Sequence, residues 1–315
     1  VEPAKGAGDV ASGLGRAVLA LTERSPVRKL FTATRPGRSL STRFVAGEAL
    51  SDAIAVARQI TASGASVSLD HLGEHVGDAE QAQRARDDYL ECLDELDAAG
   101  IDGNISVKLT QLGLGLDTAM AARSLETLAV RARGYGHTVT IDMEESAHTE
   151  ATVAIFEEVQ AGCGNLGIAL QAYLHRTPDD LARVIAAGGH VRLCKGAYAE
   201  PATIAHQTRA KVDAAFDSLL GVLMTAPAVY PAIATHDEAR VAEAVRLGAR
   251  RAEPWEFQML YGVRRALQEE LLEKAHRLRV YVPYGEAWYP YLTRRLAERP
   301  ANLWFFVRAA SSPRR

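Results

Sequence analysis

From about residue 64 the chain repeats one pattern: a short apolar, β-branched run, then a stretch of helical spacing with a polar start and a glycine stop. The runs are SVSLDHL (66–72), NISVKL (104–109), TVTIDM (138–143), LGIALQAY (166–173), VRLCKG (191–196), VYPAIATH (229–236), AEPWEFQML (252–260) and RVYVPY (279–284). Between them, Asp78 to Gly100 reads as a helix capped by Asp78. Thr177 to Gly189 reads as a second with Thr177 as N-cap and Pro178 at N1, and Asp237 to Gly248 as a third. Eight strands alternating with helices over about 250 residues predict a (β/α)8 barrel of the TIM type. A doubly wound sheet is the competitor, but it would ordinarily carry a GxGxxG turn after its first strand, where this chain has only LGEHVG.

Upstream, Leu14 to Glu23 and Gly47 to Ser63 show helical spacing, the second with a small-residue face at Ser51, Ala53, Ile54 and Ala57. The expected organisation is therefore an N-terminal helical segment (1–63), a barrel catalytic domain (64–308) and a flexible tail (309–315). After the eighth run, Gly285 ends the strand, and Pro290 near a first turn begins a helix. At about 100° per residue, Tyr291, Arg294, Arg295 and Glu298 share one arc of that helix. Such a C-terminal helix over the active site could present two guanidinium forks to a small carboxylate, which they bind bidentately.

Composition narrows the partners. A net charge of −3, with 24% charged and 48% hydrophobic residues, describes a globular chain without the charge balance of a nucleic-acid-binding protein. Cys92, Cys163 and Cys194 are odd in number and form no CxxC pair, so neither a disulfide framework nor a zinc site is expected. With no apolar run of spanning length and no signal pattern, a cytoplasmic location is expected, any membrane contact being peripheral at the inner face.

Active sites of this fold gather at the C-terminal ends of the strands. Towards the ends of the eight runs stand Asp70 and His71, Lys108, Asp142, Gln171, Arg192 with Lys195, Thr235 with His236, Glu256 with Gln258, and Tyr281. Polar groups at all eight argue for a lined pocket. Lys108 and Asp142 end successive strands and would face each other, either as a structural ion pair or as a carboxylate-binding lysine held in place by the aspartate. In VRLCKGAY, Gly196 and Ala197 would leave backbone open to a ligand. His71 and His75 have HxxxH spacing but no third ligand, and solvated histidines are the better reading. Two alternatives stay open: a Schiff-base aldolase acting through Lys108 or Lys195, and a non-catalytic amino-acid-binding barrel.

Together SVSLDHLGE, ISVKLTQLG, TIDME, VRLCKGAY, YPAIATH, EFQMLYG and YVPYG…YLTRRLAE, from about Ser66 to Asn302, resemble bacterial monofunctional proline dehydrogenase and the dehydrogenase domain of the bifunctional proline utilisation A proteins. The resemblance implies a (β/α)8 barrel with non-covalent FAD that oxidises L-proline to Δ1-pyrroline-5-carboxylate, with electrons passing to a membrane quinone. It implies that Lys108, Arg294 and Arg295 bind the proline carboxylate, that Tyr281, Tyr291 and Leu260 shape the ring pocket, and that Glu298 orders the arginines. Asp142 would support Lys108, with Arg192 near flavin N5 and Gln171 and Met143 against the isoalloxazine. Lys195, Gly196 and Ala197 would line the ribityl and phosphate path, and Thr235 and His236 would complete the cofactor contacts. No metal is implied. Because the chain ends at Arg315, a separate pyrroline-5-carboxylate dehydrogenase is expected downstream, and no DNA-binding segment is seen.

Overall fold

The computed structural model describes residues 42–73 and 75–298, with side chains as far as Thr293. The expected helix over Leu14 to Glu23 and the tail lie outside these residues. Helix α1 (Leu50–Ala62) precedes the barrel. Then β1 (Ser66–His71), α2 (Ala79–Ala98), β2 (Gly103–Val107), α3 (Thr118–Gly134), β3 (Thr138–Ile141), α4 (Ser146–Cys163), β4 (Leu166–Gln171) and α5 (Thr177–Ala187) alternate. They are followed by β5 (Gly189–Cys194), α6 (Arg209–Thr225), β6 (Val229–Ala234), α7 (Glu238–Gly248), β7 (Glu256–Leu260), α8 (Arg265–Glu273), β8 (Leu278–Tyr284) and α9 (Trp288–Glu298). The eight strands form one closed parallel barrel in chain order, sealed by β1 and β8 in register from Ser66 opposite Arg279 to His71 opposite Tyr284.

Alternation along each strand separates two environments, because successive side chains point to opposite faces of a sheet. Val67, Leu69, Ile105, Val107, Val139, Ile141, Ile168, Val191, Leu193, Ile233, Phe257 and Val282 are fully buried in the main apolar core shared with the helices. Burying each such side chain contributes about 1.5–3 kcal/mol. The intervening positions form a polar interior. Ser68 donates to Asn104 at 2.5 Å, and the Asn104 amide donates to Thr138 and Thr140 at 2.8 and 3.0 Å. Arg279 meets Glu256 at 2.8 Å and the Val67 carbonyl at 2.8 Å. This barrel is thus packed by hydrogen bonds inside, where branched apolar layers are more usual.

The helix starts mostly follow the expected grammar. Asp78 caps α2 by accepting from Gln81 N, and Asp237 caps α7 by accepting from Ala239 N. Thr177 departs from its expected cap role: it is the first residue of α5, and its hydroxyl donates to the Gln171 carbonyl at 2.5 Å. Of the expected small-residue face of α1, Ala53, Ile54 and Ala57 are buried, on a helix packed against the β8–β1 seam, whereas Ser51 is exposed. Helix α9 seats Trp288, Tyr289, Tyr291 and Leu292 against Phe44, Val45 and Leu72 in a separate apolar cluster at the strand ends. Among the described residues, no helix is long and apolar enough to cross a membrane.

Candidate active site

Five ionisable groups meet inside the upper barrel. Lys108, just beyond β2 and 7% exposed, places Nζ 2.9 Å from Asp70 Oδ1 and 3.7 Å from Asp142 Oδ2. Asp142, just beyond β3, accepts from Tyr281 OH at 2.7 Å and from Ser106 Oγ at 2.8 Å, and is bonded to Arg192 Nη1. Burial alone would raise the Asp142 carboxyl. The Arg192 and Lys108 charges, with the bonds from Tyr281 and Ser106, hold it below the usual value. Burial, with the Asp142 and Asp70 charges, pushes the Tyr281 phenol well up, so Tyr281 acts there as a donor.

The Arg192 guanidinium, 6% exposed, is held on three sides. Nε donates to Gln258 Oε1 at 2.5 Å, Nη1 donates to Ser106 Oγ at 2.8 Å as well as to Asp142, and Cζ lies 5.1 Å from the Tyr281 ring centroid. Nη2 is buried and has no hydrogen-bond partner among the described residues. A buried donor left in this state is costly unless something outside the chain accepts from it.

Lys108 faces Asp142 as expected, and the structure brings Arg192 and Tyr281 to the same carboxylate, with two further participants. The carboxylate nearest Lys108 is Asp70, 1% exposed, which the sequence placed at a strand end without a role. Ser106, one turn of the strand alternation below Lys108, is the other participant that sequence reasoning missed; only the inward register of β2 could have pointed to it. Arg192 and Tyr281 lie within their strands and Glu256 opens its strand, none of them at a C-terminal end, so part of the site is below the barrel rim.

On β4, between the strands that carry Asp142 and Arg192, Gln171 bridges two loops, its amide donating to Glu144 O at 2.9 Å and accepting from Ala197 N at 3.2 Å. Met143 is buried and Leu260 half-buried. Glu144, 1% exposed, receives Thr110 N and Oγ1, while burial pushes its carboxyl up. His236 Nε2 accepts from Leu260 N at 3.0 Å, which puts the ring proton on Nδ1, and Thr235 Oγ1 accepts from Asp237 N at 3.1 Å.

Two residues of the expected phosphate path have close neighbours within the chain. Lys195 is engaged by Asp213 and by Asp237 at 2.8 Å, with Arg240 nearby. At Gly196, φ is +122°, and a Cβ there would run into the Tyr173 ring, so this glycine lets the loop after β5 pack closely on Tyr173. His71 stacks on Tyr284 at 5.1 Å, apart from His75, which lies 3.7 Å from Glu145. His75, Glu144 and Glu145 bring possible ligand atoms within 4.8 Å of one another, a grouping from two loops that spacing could not show. Helix α9 carries Arg294, Arg295 and Glu298, whose side chains lie outside the described residues, while Tyr291 on its first turns is buried.

A (β/α)8 barrel with a buried Lys–Asp–Arg–Tyr constellation at its mouth defines an enzyme of the strand-end class. The proline dehydrogenase family model matches residues 53–308, so the chain belongs to that family and is an oxidoreductase of proline catabolism. It is 35% identical over 269 residues to proline dehydrogenase 1 of Bacillus subtilis, covering 84% of this chain and 89% of that one. It is 35% identical over 300 residues to proline dehydrogenase of Deinococcus radiodurans, covering 93% and 96%. Against bifunctional PutA of Escherichia coli the identity is 30%, over 87% of this chain and 24% of that protein. Among solved structures, proline utilization A of Bdellovibrio bacteriovorus inactivated by N-propargylglycine shares the fold with a TM-score of 0.77 at 24% identity, over 82% of this chain and 32% of that chain. A Bradyrhizobium japonicum PutA structure gives 0.74 at 25%, over 93% and 34%. This chain spans about a third of the length of those solved proteins.

Proposed function

We propose that this proline dehydrogenase oxidises L-proline to Δ1-pyrroline-5-carboxylate on non-covalent FAD, with a membrane quinone as electron acceptor and a separate pyrroline-5-carboxylate dehydrogenase taking the product. The observation that carries the cofactor reading is the buried Nη2 of Arg192, which has no hydrogen-bond partner among the described residues. Its donors suit an electron-rich ring acceptor, and its fixed charge stabilises negative charge developing there. When bound, FAD would supply the hydride acceptor for the proline ring carbon.

The chain's own residues then divide the work. Lys108, Asp70, Asp142 and Arg192 are two cations and two carboxylates, so their charges cancel. A substrate carboxylate therefore needs further positive charge, which Arg294 and Arg295 would add beside Lys108, with Glu298 ordering them. Asp142 orients Lys108, Arg192 and Tyr281 at once. Tyr281, Tyr291 and Leu260 would shape the ring pocket and exclude water from it. Gln171 and Met143 would flank the isoalloxazine, Lys195, Gly196 and Ala197 the ribityl and phosphate path, and Thr235 and His236 the remaining cofactor contacts. A phosphate approaching Lys195 would share it with Asp213 and Asp237, whose charge Arg209 and Arg240 help balance.

The test is direct. Protein reconstituted with FAD and mixed anaerobically with L-proline should lose its yellow absorbance, and a flavin that stays oxidised refutes the proposal. A colourless protein trapped by borohydride with a carbonyl substrate would instead favour the Schiff-base reading.

A further inference from the structure

Arg192 is oriented by a chain of buried polar groups that runs down the barrel interior, away from the mouth. Its Nε donates to Gln258 Oε1 at 2.5 Å, and Gln258 Nε2 donates to Glu256 Oε1 at 2.7 Å. Glu256 in turn accepts from Arg279 Nε at 2.8 Å and from Tyr230 OH at 3.2 Å, and Arg279 Nη1 reaches the Val67 carbonyl at 2.8 Å. Gln258 is 8% exposed and Glu256 4%.

An amide can point either way, and two demands decide this one. The guanidinium requires an acceptor on one side and the carboxylate a donor on the other, so a flipped Gln258 would lose both bonds and set like partial charges against each other. Burial would raise the Glu256 carboxyl, yet the Arg279 charge and hydrogen bond hold it below its usual value, so it stays ionised as an acceptor. A planar guanidinium held at Nε and Nη1, with its face on Tyr281, has no rotation left. The direction of Nη2 is then set jointly by Asp142, Ser106 and Tyr281 at the site and, through Nε, by a chain of groups that never reaches the mouth.

We infer that Gln258, locked in orientation by Glu256 and Arg279, is a positioning residue for Arg192: it aims the two remaining buried N–H groups of Nη2 at the ring acceptor. This rests on the reading that Arg192 faces the flavin, and Gln258 itself touches neither substrate nor cofactor.

The experiment compares Gln258→Met, Gln258→Asn, Arg192→Ala and the exchanged pair Glu256→Gln with Gln258→Glu, all as FAD-loaded full chains. Methionine fills the space without the acceptor, and asparagine withdraws the oxygen should the methionine variant fold poorly. The exchanged pair keeps the charge and restores an acceptor to Arg192. The readouts are the flavin midpoint potential by spectroelectrochemistry, FAD affinity by fluorescence titration, and the anaerobic rate of flavin reduction at saturating proline. We expect Gln258→Met and Gln258→Asn to lower the midpoint potential and to slow reduction about 10-fold or more, with little change in proline KM. The exchanged pair should recover to within about 3-fold of the parent rate. A purely structural role predicts a lower melting temperature with an unchanged potential and rate per bound flavin, and that outcome overturns the inference. If Arg192→Ala shifts potential and rate while Gln258→Met and Gln258→Asn do not, the inference alone fails. If none of these variants shifts them, the placement of Arg192 at the flavin fails as well.

Discussion

Lys108 leans on Asp70 at 2.9 Å and stands off from Asp142 at 3.7 Å, because Asp142 is already engaged by Arg192, Ser106 and Tyr281. At this scale the Tyr281 hydroxyl is the most informative single group. Tyr281→Phe keeps the ring beneath Arg192 but removes a hydrogen bond to a charged acceptor, which contributes about 1.5–3 kcal/mol. We expect thermal unfolding a few degrees lower, by calorimetry, and a higher proline KM; an unchanged KM would detach Tyr281 from the substrate pocket. The residue types of the site were legible as polar interruptions of apolar runs. Their pairings were not: Lys108 and Asp70 are 38 positions apart and Arg192 and Gln258 are 66 apart, and which carboxylate wins depends on a register that no local pattern encodes.

Among the elements, the strap after β5 shows how a loop can finish a helix. Helix α4 starts after Glu145, which makes no side-chain cap, and Glu200 from the strap supplies one by accepting from Ser146 N and Oγ, both at 2.7 Å. Glu200→Ala leaves both donors unanswered and should cost about 1–2 kcal/mol, seen as a lower urea midpoint. Since the same strap carries Gly196 and Ala197, FAD affinity measured by fluorescence should fall with it, and unchanged affinity would separate the strap from the cofactor. The strands and most helices were legible because short β-branched runs and Asp caps are local signals. The Glu200 cap was not, since it joins residues 54 apart in sequence, and Thr177 misled because its hydroxyl found a strand carbonyl instead.

For the molecule as a whole, the ion cluster around Asp237 links stability to pH. Burial would raise this carboxyl, but Lys195 and Arg240 depress it from 3.8 to about 2. A depressed carboxyl stabilises the fold fully above its unfolded value and loses that contribution as pH falls through the folded one. Denaturation series between pH 4 and 2 should therefore show less acid sensitivity in Lys195→Met than in the parent chain, by up to about 1 kcal/mol, since the Ala239 N–H bond and the Arg240 charge remain. Identical slopes would remove the cluster from the acid response. The count of eight strands, the barrel topology and polar groups towards the strand ends followed from the sequence, whereas the hydrogen-bonded ladder deeper in the barrel, at Ser68, Asn104 and Thr140, did not, because the runs were not resolved into two faces.

That division into two faces has a consequence for how the gene can vary. Inserting or deleting one codon inside β2, between Ile105 and Ser106, would turn Val107 inward beneath the site and expose Ser106 to the greasy side of the helices. Such frame-preserving changes should be far less tolerated in the ring than in the connecting turns, whatever residue they add.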